Sequence, residues 1–285
     1  MMILLYIIFA VIVGLLFHGI HRKVIARIQT RPGPPIWQEF LHVMKFSFKQ
    51  TWIPKTASKV LFVAIVPAVI AIWAGALYVL FTGGSLLVIF GVYLLHKITE
   101  HGLGLSSGSP YGKLGAIRSV LSAASEIPLI ASIAGIYFVT GSLMISDIVA
   151  YQADHGILLI TALPIALAMY VIILSKVPYS PFGIIEAKEI VSGNKTEHFG
   201  AFRAGLEVGF ALKTFVLLAV FVTLFIGAMP FWMLLIASLI LLLTMSFICA
   251  LTPMLSPYDA VTIQIGVIII VIIYMAFIAF AGGMP

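Results

Sequence analysis

The residues with chemistry to offer are few, and many crowd one stretch. Between Lys176 and Glu207 lie four of the chain's ten acidic residues: Glu186, Glu189, Glu197 and Glu207. Lys176, Lys188, Lys195 and Arg203 accompany them, and Pro178, Pro181, Gly183, Gly193 and Gly200 prevent one continuous helix. Glu186 and Glu189 are three apart and share a face wherever that stretch is helical. Neighbouring carboxylates resist double ionisation, so one of the two is expected to hold a proton near neutral pH. That is what a proton relay requires. The competing reading is a solvated loop between helices. It fits Glu189 about as well, and Glu186 less well, because Glu186 follows the apolar pair Ile184-Ile185.

Three ionisable residues, Glu126, Glu207 and Lys213, sit inside apolar segments or close to their ends. An isolated charge near mid-bilayer costs at least about 2.5–3.5 kcal/mol, so each is expected to face a partner, a wet cavity or another subunit. Glu207 and Lys213 are six apart, about 240° around a helix, and should not pair directly. His96 and Glu100 are four apart and invite a metal reading, but His101 turns away and no second cluster completes a site. A wet, interfacial helix end is the better reading, with Glu100 counted among the coupling carboxylates. Cys249 is the single cysteine and lies in an apolar run, so no disulfide framework and no CxxC metal or cluster motif exists. Neither GxSxG, nor a P-loop, nor HExxH occurs. No catalytic and no metal-ligating residue is therefore expected, and any redox cofactor is expected on another subunit.

The elements that must position these residues are almost pure hydrocarbon. Of 285 residues, 62% are hydrophobic and 9% charged. A soluble domain carries about 25% charged residues, so the sequence reads as an integral membrane protein, a single polytopic domain over residues 1–285. Eight apolar segments are long enough, or nearly so, to span: approximately Met2–Ile20, Val60–Leu80, Leu86–Leu103, Ala116–Thr140, Ile157–Leu174, Ala204–Ile226, Phe231–Leu251 and Ala260–Phe280. They are continuously apolar rather than alternating, which favours helices strongly over a barrel. The fold class is thus all-α, with about eight transmembrane helices.

The cations settle the expected topology. Fifteen of the sixteen Lys and Arg residues fall in or beside the connections after the first, third and fifth segments. The sixteenth, Lys213, lies within the sixth. By the positive-inside rule these connections face the cytoplasm and both termini lie outside. The first charges follow the first apolar run instead of preceding it, unlike a signal peptide. Basic residues spread over short loops also argue against a nucleic-acid partner. Two cytoplasmic loops stand out, 21–59 and 175–206. In the first, Trp37–Trp52 places Gln38, His42, Lys45 and Lys49 at steps of three and four, predicting an amphipathic helix in the lipid interface with Trp at both ends. Small residues (Ser119, Ser122, Ala123, Ala124, Ser125, and Gly205 with Gly209) lie where spans pack closely.

Three motifs, in order along nearly the whole chain, carry a resemblance. They are Arg31-Pro-Gly33-Pro34-Pro35 with Gln38; Tyr111 and Leu114-Gly-Ala-Ile-Arg118 followed by Glu126; and Pro181-Phe182, Glu186-Ala187, Glu189-Ile-Val191, Gly193, Thr196-Glu197 and Gly200. The chain resembles the eight-helix membrane subunit that anchors the hydrophilic arm of respiratory complex I, and its counterpart in energy-converting, membrane-bound [NiFe] hydrogenases. It departs from that family in carrying Gly183 where Asp usually follows Pro-Phe, in having one residue fewer between Glu186 and Glu189, and in an Arg118-to-Glu126 spacing one residue short. Gly-Pro-Pro, where complex I has Gly-Pro-Asn, leans toward the hydrogenase branch.

The resemblance implies a non-catalytic subunit of a ferredoxin-dependent hydrogenase complex in a prokaryotic cytoplasmic membrane. Arg31, Gly33, Pro34, Pro35, Gln38 and Arg118 would dock the hydrophilic arm. Glu126, Glu186, Glu189, Glu197 and Glu207, with Glu100 and Lys213, would couple electron transfer to proton or sodium translocation. The implied partners are the hydrogenase large and small subunits with their nickel–iron centre, an iron–sulfur subunit carrying its clusters, an antiporter-like membrane subunit, membrane lipid and, indirectly, ferredoxin. A quinone-site subunit of a complex I relative and a stand-alone ion transporter are the alternatives.

Overall fold

The computed structural model describes residues 2–124, 127–183 and 194–280. These residues form helices and loops without a strand, apart from an isolated bridge between Ser85 and Met144. The helices are α1 Met2–Ile28, α2 Gln38–Ser47, α3 Lys59–Phe81, α4 Leu86–Ser106, α5 Pro110–Ala124, α6 Ile127–Thr140, α7 Ile145–His155, α8 Leu158–Thr161, α9 Leu163–Lys176, α10 Ala201–Phe225, α11 Phe231–Leu251 and α12 Pro257–Phe280. Six of them, α1, α3, α4, α10, α11 and α12, are long and apolar enough to cross a membrane, and α6 and α9 are shorter apolar helices. The described residues of the eight predicted spans are thus almost wholly helical, but the fifth span is not a single rod.

The fourth predicted span, Ala116–Thr140, is covered by α5 and α6, with residues 125 and 126 between them outside the described part. The fifth is divided between α8 and α9, because Ala162 leaves the helical basin (φ −127°, ψ 43°) and Pro164 opens α9. Proline is accepted in a helix's first turn, where its missing N–H is not needed, and for the same reason it marks a start. The preceding connection holds a helix that hydropathy did not reveal. α7 is too polar to span, yet it buries Ile145, Ile148 and Gln152 against the bundle. The expected amphipathic helix is also shorter than Trp37–Trp52. It ends at Ser47, and the chain then runs without regular structure from Gln50 to Pro54.

α10 is the hub of the bundle. Its most apolar stretch is 89% buried, whereas that of α12 is 17% buried. Around α10 pack α1, α2, α3, α9 and α11. Gly205 and Gly209 let it lie close to α3: a Cβ on either would strike the side chain of Val66 or Val69.

Contacts between connections sort into two ends. At one end, the Ser58 N–H donates to the Ser106 carbonyl (2.9 Å), Thr56 Oγ1 to the Ser107 carbonyl (2.9 Å), Ser109 Oγ to Glu197 Oε1 (3.2 Å) and the Ala201 N–H to Thr51 Oγ1 (2.9 Å). At the other end, the Leu86 N–H donates to the Leu143 carbonyl (2.8 Å) and Gln152 Nε2 to the Thr223 carbonyl (3.3 Å). The cation-rich connections thus share one face and the cation-free ones the other.

Candidate functional site

Where α1, α2, α4, α9 and α10 converge at the cation-rich end, they enclose a cavity of about 290 Å³. Charged and hydroxyl side chains dominate its wall: His18 and Arg22 from α1, Glu39 and His42 from α2, Glu100 from α4, and Arg203, Glu207, Lys213 and Thr214 from α10. Lys176, Lys195, residues 177–180, Phe182 and Gly183 add to it, with Ser122, Ser175, Asn194, Phe210 and Met254. A polar chamber of this size in a membrane protein suits water and small ions.

Most of its charges are paired in short steps. Arg22 Nη1 lies 2.6 Å from Glu39 Oε1, and His42 Nδ1 lies 3.2 Å from Glu39 Oε2, so one carboxylate pins α2 to α1. Arg203 Nη2 lies 2.7 Å from Glu207 Oε1, one turn along α10. The segment 177–183 is fastened by His21, whose Nε2–H donates to the Pro178 carbonyl (2.6 Å) while Nδ1 meets Ser246 Oγ (2.7 Å). Tyr179 then adopts φ 62°, a left-handed conformation rare for an aromatic residue, and its ring stands 5.7 Å from the Arg22 guanidinium.

Behind the cavity runs a buried row of ionisable groups. Lys213 Nζ is 3.3 Å from His96 Nε2, which is 3.5 Å from Glu100 Oε1. The other oxygen, Oε2, accepts from Lys97 Nζ at 2.9 Å, and Lys97 also reaches Ser122 Oγ at 3.3 Å. All four ionisable residues are less than 10% exposed. On its far side, His96 Nδ1 accepts from Trp73 Nε1–H at 3.2 Å. The Phe210 ring lies under two ammonium groups, Lys195 at 3.8 Å and Lys213 at 4.7 Å, each a cation–π contact of about 0.5–2 kcal/mol. The row joins α10 to α4 and α5.

The residues singled out from the sequence divide into groups. Glu100, Glu207 and Lys213 come together on the cavity; Glu207 and Lys213 have separate partners, as their spacing predicts. Glu197 stands apart, accepting from Ser109 at the start of α5. Glu126, Glu186 and Glu189 lie outside the described residues. Arg31 is exposed beyond the end of α1, and its Nη2 donates to Gln29 Oε1. Thr30 and Gly33, at φ 59° and 66°, turn the chain through Pro34 and Pro35 into α2, where Gln38 meets His42 at 3.0 Å. Arg118 sits half-buried on α5. His101 does turn from His96, bonding to the Ala116 carbonyl at 3.0 Å. Among the described residues, no three His, Cys, Asp or Glu side chains converge as a metal site. Sequence reasoning passed over His18, Glu39, the place of His96 in the buried row, Lys97 and Trp73. The one local signal was His96-Lys97 with Glu100, a spacing that puts three ionisable groups on one helical face.

Fold and site together define a class: a polytopic helical membrane subunit with an ionisable chamber at one end of its bundle. The profile of the family described as NADH dehydrogenase matches residues 1–281, and the chain belongs to that family. It is a membrane subunit of a complex I-like respiratory complex. A Methanocaldococcus jannaschii protein carrying the provisional name NADH-ubiquinone oxidoreductase is 44% identical over 278 residues, 96% of this chain and 94% of that one. A subunit of the NADH-quinone oxidoreductase of Dehalococcoides mccartyi is 32% identical over 67% of this chain, a match spanning 59% of that relative's length. Among solved structures, a chain of an archaeal membrane-bound sulfane sulfur reductase superposes with a TM-score of 0.84 at 26% identity, covering 96% of this chain and 97% of that one.

Proposed function

We propose that this chain is the coupling subunit of a ferredoxin-dependent, energy-converting [NiFe] hydrogenase complex. It holds the electron-transfer arm on its cytoplasmic face through the turn at Arg31–Pro35, with Gln38 and Arg118, and passes the charge effect of electron transfer to an antiporter-like membrane neighbour. The observation that carries the reading is the buried row Lys213–His96–Glu100–Lys97 opening on the chamber. Charges held so expensively in a membrane bundle are retained for movement of charge. The nickel–iron centre and iron–sulfur clusters belong to partner subunits in this reading, and both termini lie outside a prokaryotic cytoplasmic membrane. The likeness to the sulfane sulfur reductase chain supports a second reading, in which the same coupling device serves a sulfur-reducing arm. A quinone-reducing role receives less support, because the chamber wall is crowded with charges that an apolar quinone tail would have to desolvate.

The test is purification of the native complex, followed by assay for nickel, ferredoxin-driven hydrogen evolution, sulfide release from sulfane sulfur, and quinone reduction. Hydrogen evolution that builds an ion gradient in vesicles supports the proposal. Sulfide release without hydrogen moves the chain to the second reading, and ferredoxin- or NADH-driven quinone reduction overturns both.

A further inference from the structure

The contacts of His96 fix more than its position. Trp73 and His96 are both essentially inaccessible, 0% and 1% exposed, and their rings meet edge to face at 5.3 Å. An indole N–H can only donate. The bond from Trp73 Nε1 to His96 Nδ1 therefore requires an unprotonated Nδ1. A neutral imidazole with Nδ1 bare carries its hydrogen on Nε2, and an imidazolium would set two N–H groups against each other. Nε2 is the nitrogen that faces both Glu100 Oε1 at 3.5 Å and Lys213 Nζ at 3.3 Å.

We propose that Trp73 is a positioning residue that locks His96 as the Nε2–H tautomer, so that His96 links Lys213 to Glu100 without passing a proton through its ring. A histidine that relays protons takes one at one nitrogen and releases it from the other. Here the second nitrogen is closed, and the ring has one hydrogen to give and two candidates to receive it. While Lys213 is an ammonium it has no lone pair, so Nε2–H points to the Glu100 carboxylate. When Lys213 gives up its proton toward the chamber, its amine lone pair accepts Nε2–H and Glu100 loses that bond. His96 keeps its proton throughout; only the acceptor changes. The charge state of Lys213 is thereby read at Glu100. The other charged and titratable groups near this switch are Lys97 beside Glu100 on α4, Lys176 at the end of α9, Lys195 over Phe210, and Glu207 and His18 on the chamber wall.

The inference rests on the coupling reading but is tested apart from it, by a measurement that needs no turnover. The intact complex is labelled with ¹⁵N-histidine, and His96 is assigned by difference against His96→Asn. The expected spectrum shows one protonated and one bare ring nitrogen, Nδ1 being the bare one, unchanged between about pH 5 and pH 8. In Trp73→Phe, which keeps an aromatic ring and removes the donor, the Nδ1–H tautomer or the imidazolium should appear as pH falls. An imidazolium or Nδ1–H form in the unaltered complex overturns the proposal, and so does a spectrum that Trp73→Phe leaves unchanged. The functional arm is a double-variant cycle. Trp73→Phe should lower ions moved per electron several-fold while dye-linked turnover persists, and should add nothing in a His96→Gln background. Losses that simply add would make Trp73 a packing residue.

Discussion

Glu100 sits between Lys97 and His96, each taking one of its oxygens, and its side chain is 9% exposed. Breaking a buried ion pair from one side leaves an uncompensated charge and costs about 3–5 kcal/mol, whereas replacing both members by apolar groups is often neutral. Glu100→Gln is therefore expected to destabilise the subunit strongly, by an amount in that range. The double variant Lys97→Met/Glu100→Leu is expected to recover most of the stability and none of the coupling. Thermal unfolding of the detergent-solubilised complex measures the first effect, and ion uptake by reconstituted vesicles the second. If the double variant still builds a gradient, the row is structural. Of this site, the sequence announced Glu100, Glu207 and Lys213, because a charge in an apolar run is conspicuous in any linear reading. It did not announce Trp73 or His18, which look like ordinary members of apolar helices until the fold sets a partner opposite each, His96 on α4 and Thr214 on α10. Glu39 is a further case, since its partner Arg22 lies on a different helix and only packing joins them.

Among the elements, the least regular one described carries a measurable property. The chain between the Asn194–Glu197 turn and α10 is anchored by His198, which stacks on Phe62 of α3 at 4.0 Å with the planes within 6°. Burial, with the nearby Arg203 guanidinium adding to it, pushes this imidazole down from the ordinary 6.5 to about 4. The unfolded chain thus binds the extra proton first. The contribution to stability is complete above about pH 6.5, declines as pH falls through the interval, and is lost below about pH 4, up to about 3 kcal/mol in all. His198→Phe preserves the stack and should remove this part of the acid sensitivity, read as a smaller drop in Tm between about pH 7 and pH 4. An unchanged acid profile would show that His198 is already solvated. At this scale the sequence was most legible where hydropathy is continuous, as in α3, α11 and α12, whose bounds agree closely with the apolar runs. It was least legible at α7, where Asp147, Gln152 and Asp154 masked a helix whose inner face is Ile145 and Ile148, and at Ala162, where one residue off the helical basin splits a span. The polar residues of α7 hide its apolar face from a hydropathy average, and the break at Ala162 leaves that average unchanged, so neither feature could be seen in it.

In the molecule as a whole, the two sets of interlaced connections make the topology testable. If the cation-rich face is cytoplasmic, an impermeant thiol reagent added outside should label Thr82→Cys and Asp154→Cys. Ser47→Cys and Lys113→Cys should react only after the membrane is opened. All four positions are exposed, so the pattern reports sidedness rather than burial, and the reverse pattern inverts the subunit. The central place of α10 has a consequence for how the subunit is made. The hub on which α1, α2 and α3 pack begins only at Ala201, about 170 residues after α1 ends. At about 5–20 residues per second, the ribosome needs roughly 10–35 s to cover that distance. During that interval the first helices stand in the bilayer without the surface that binds them to one another, and the chamber lacks the wall that holds Lys213. The subunit is therefore completed late and around its middle: before α10, α3 can pack on α4 and α4 on α5, and α6 on α9, but the axis that joins α1 and α2 to them is missing.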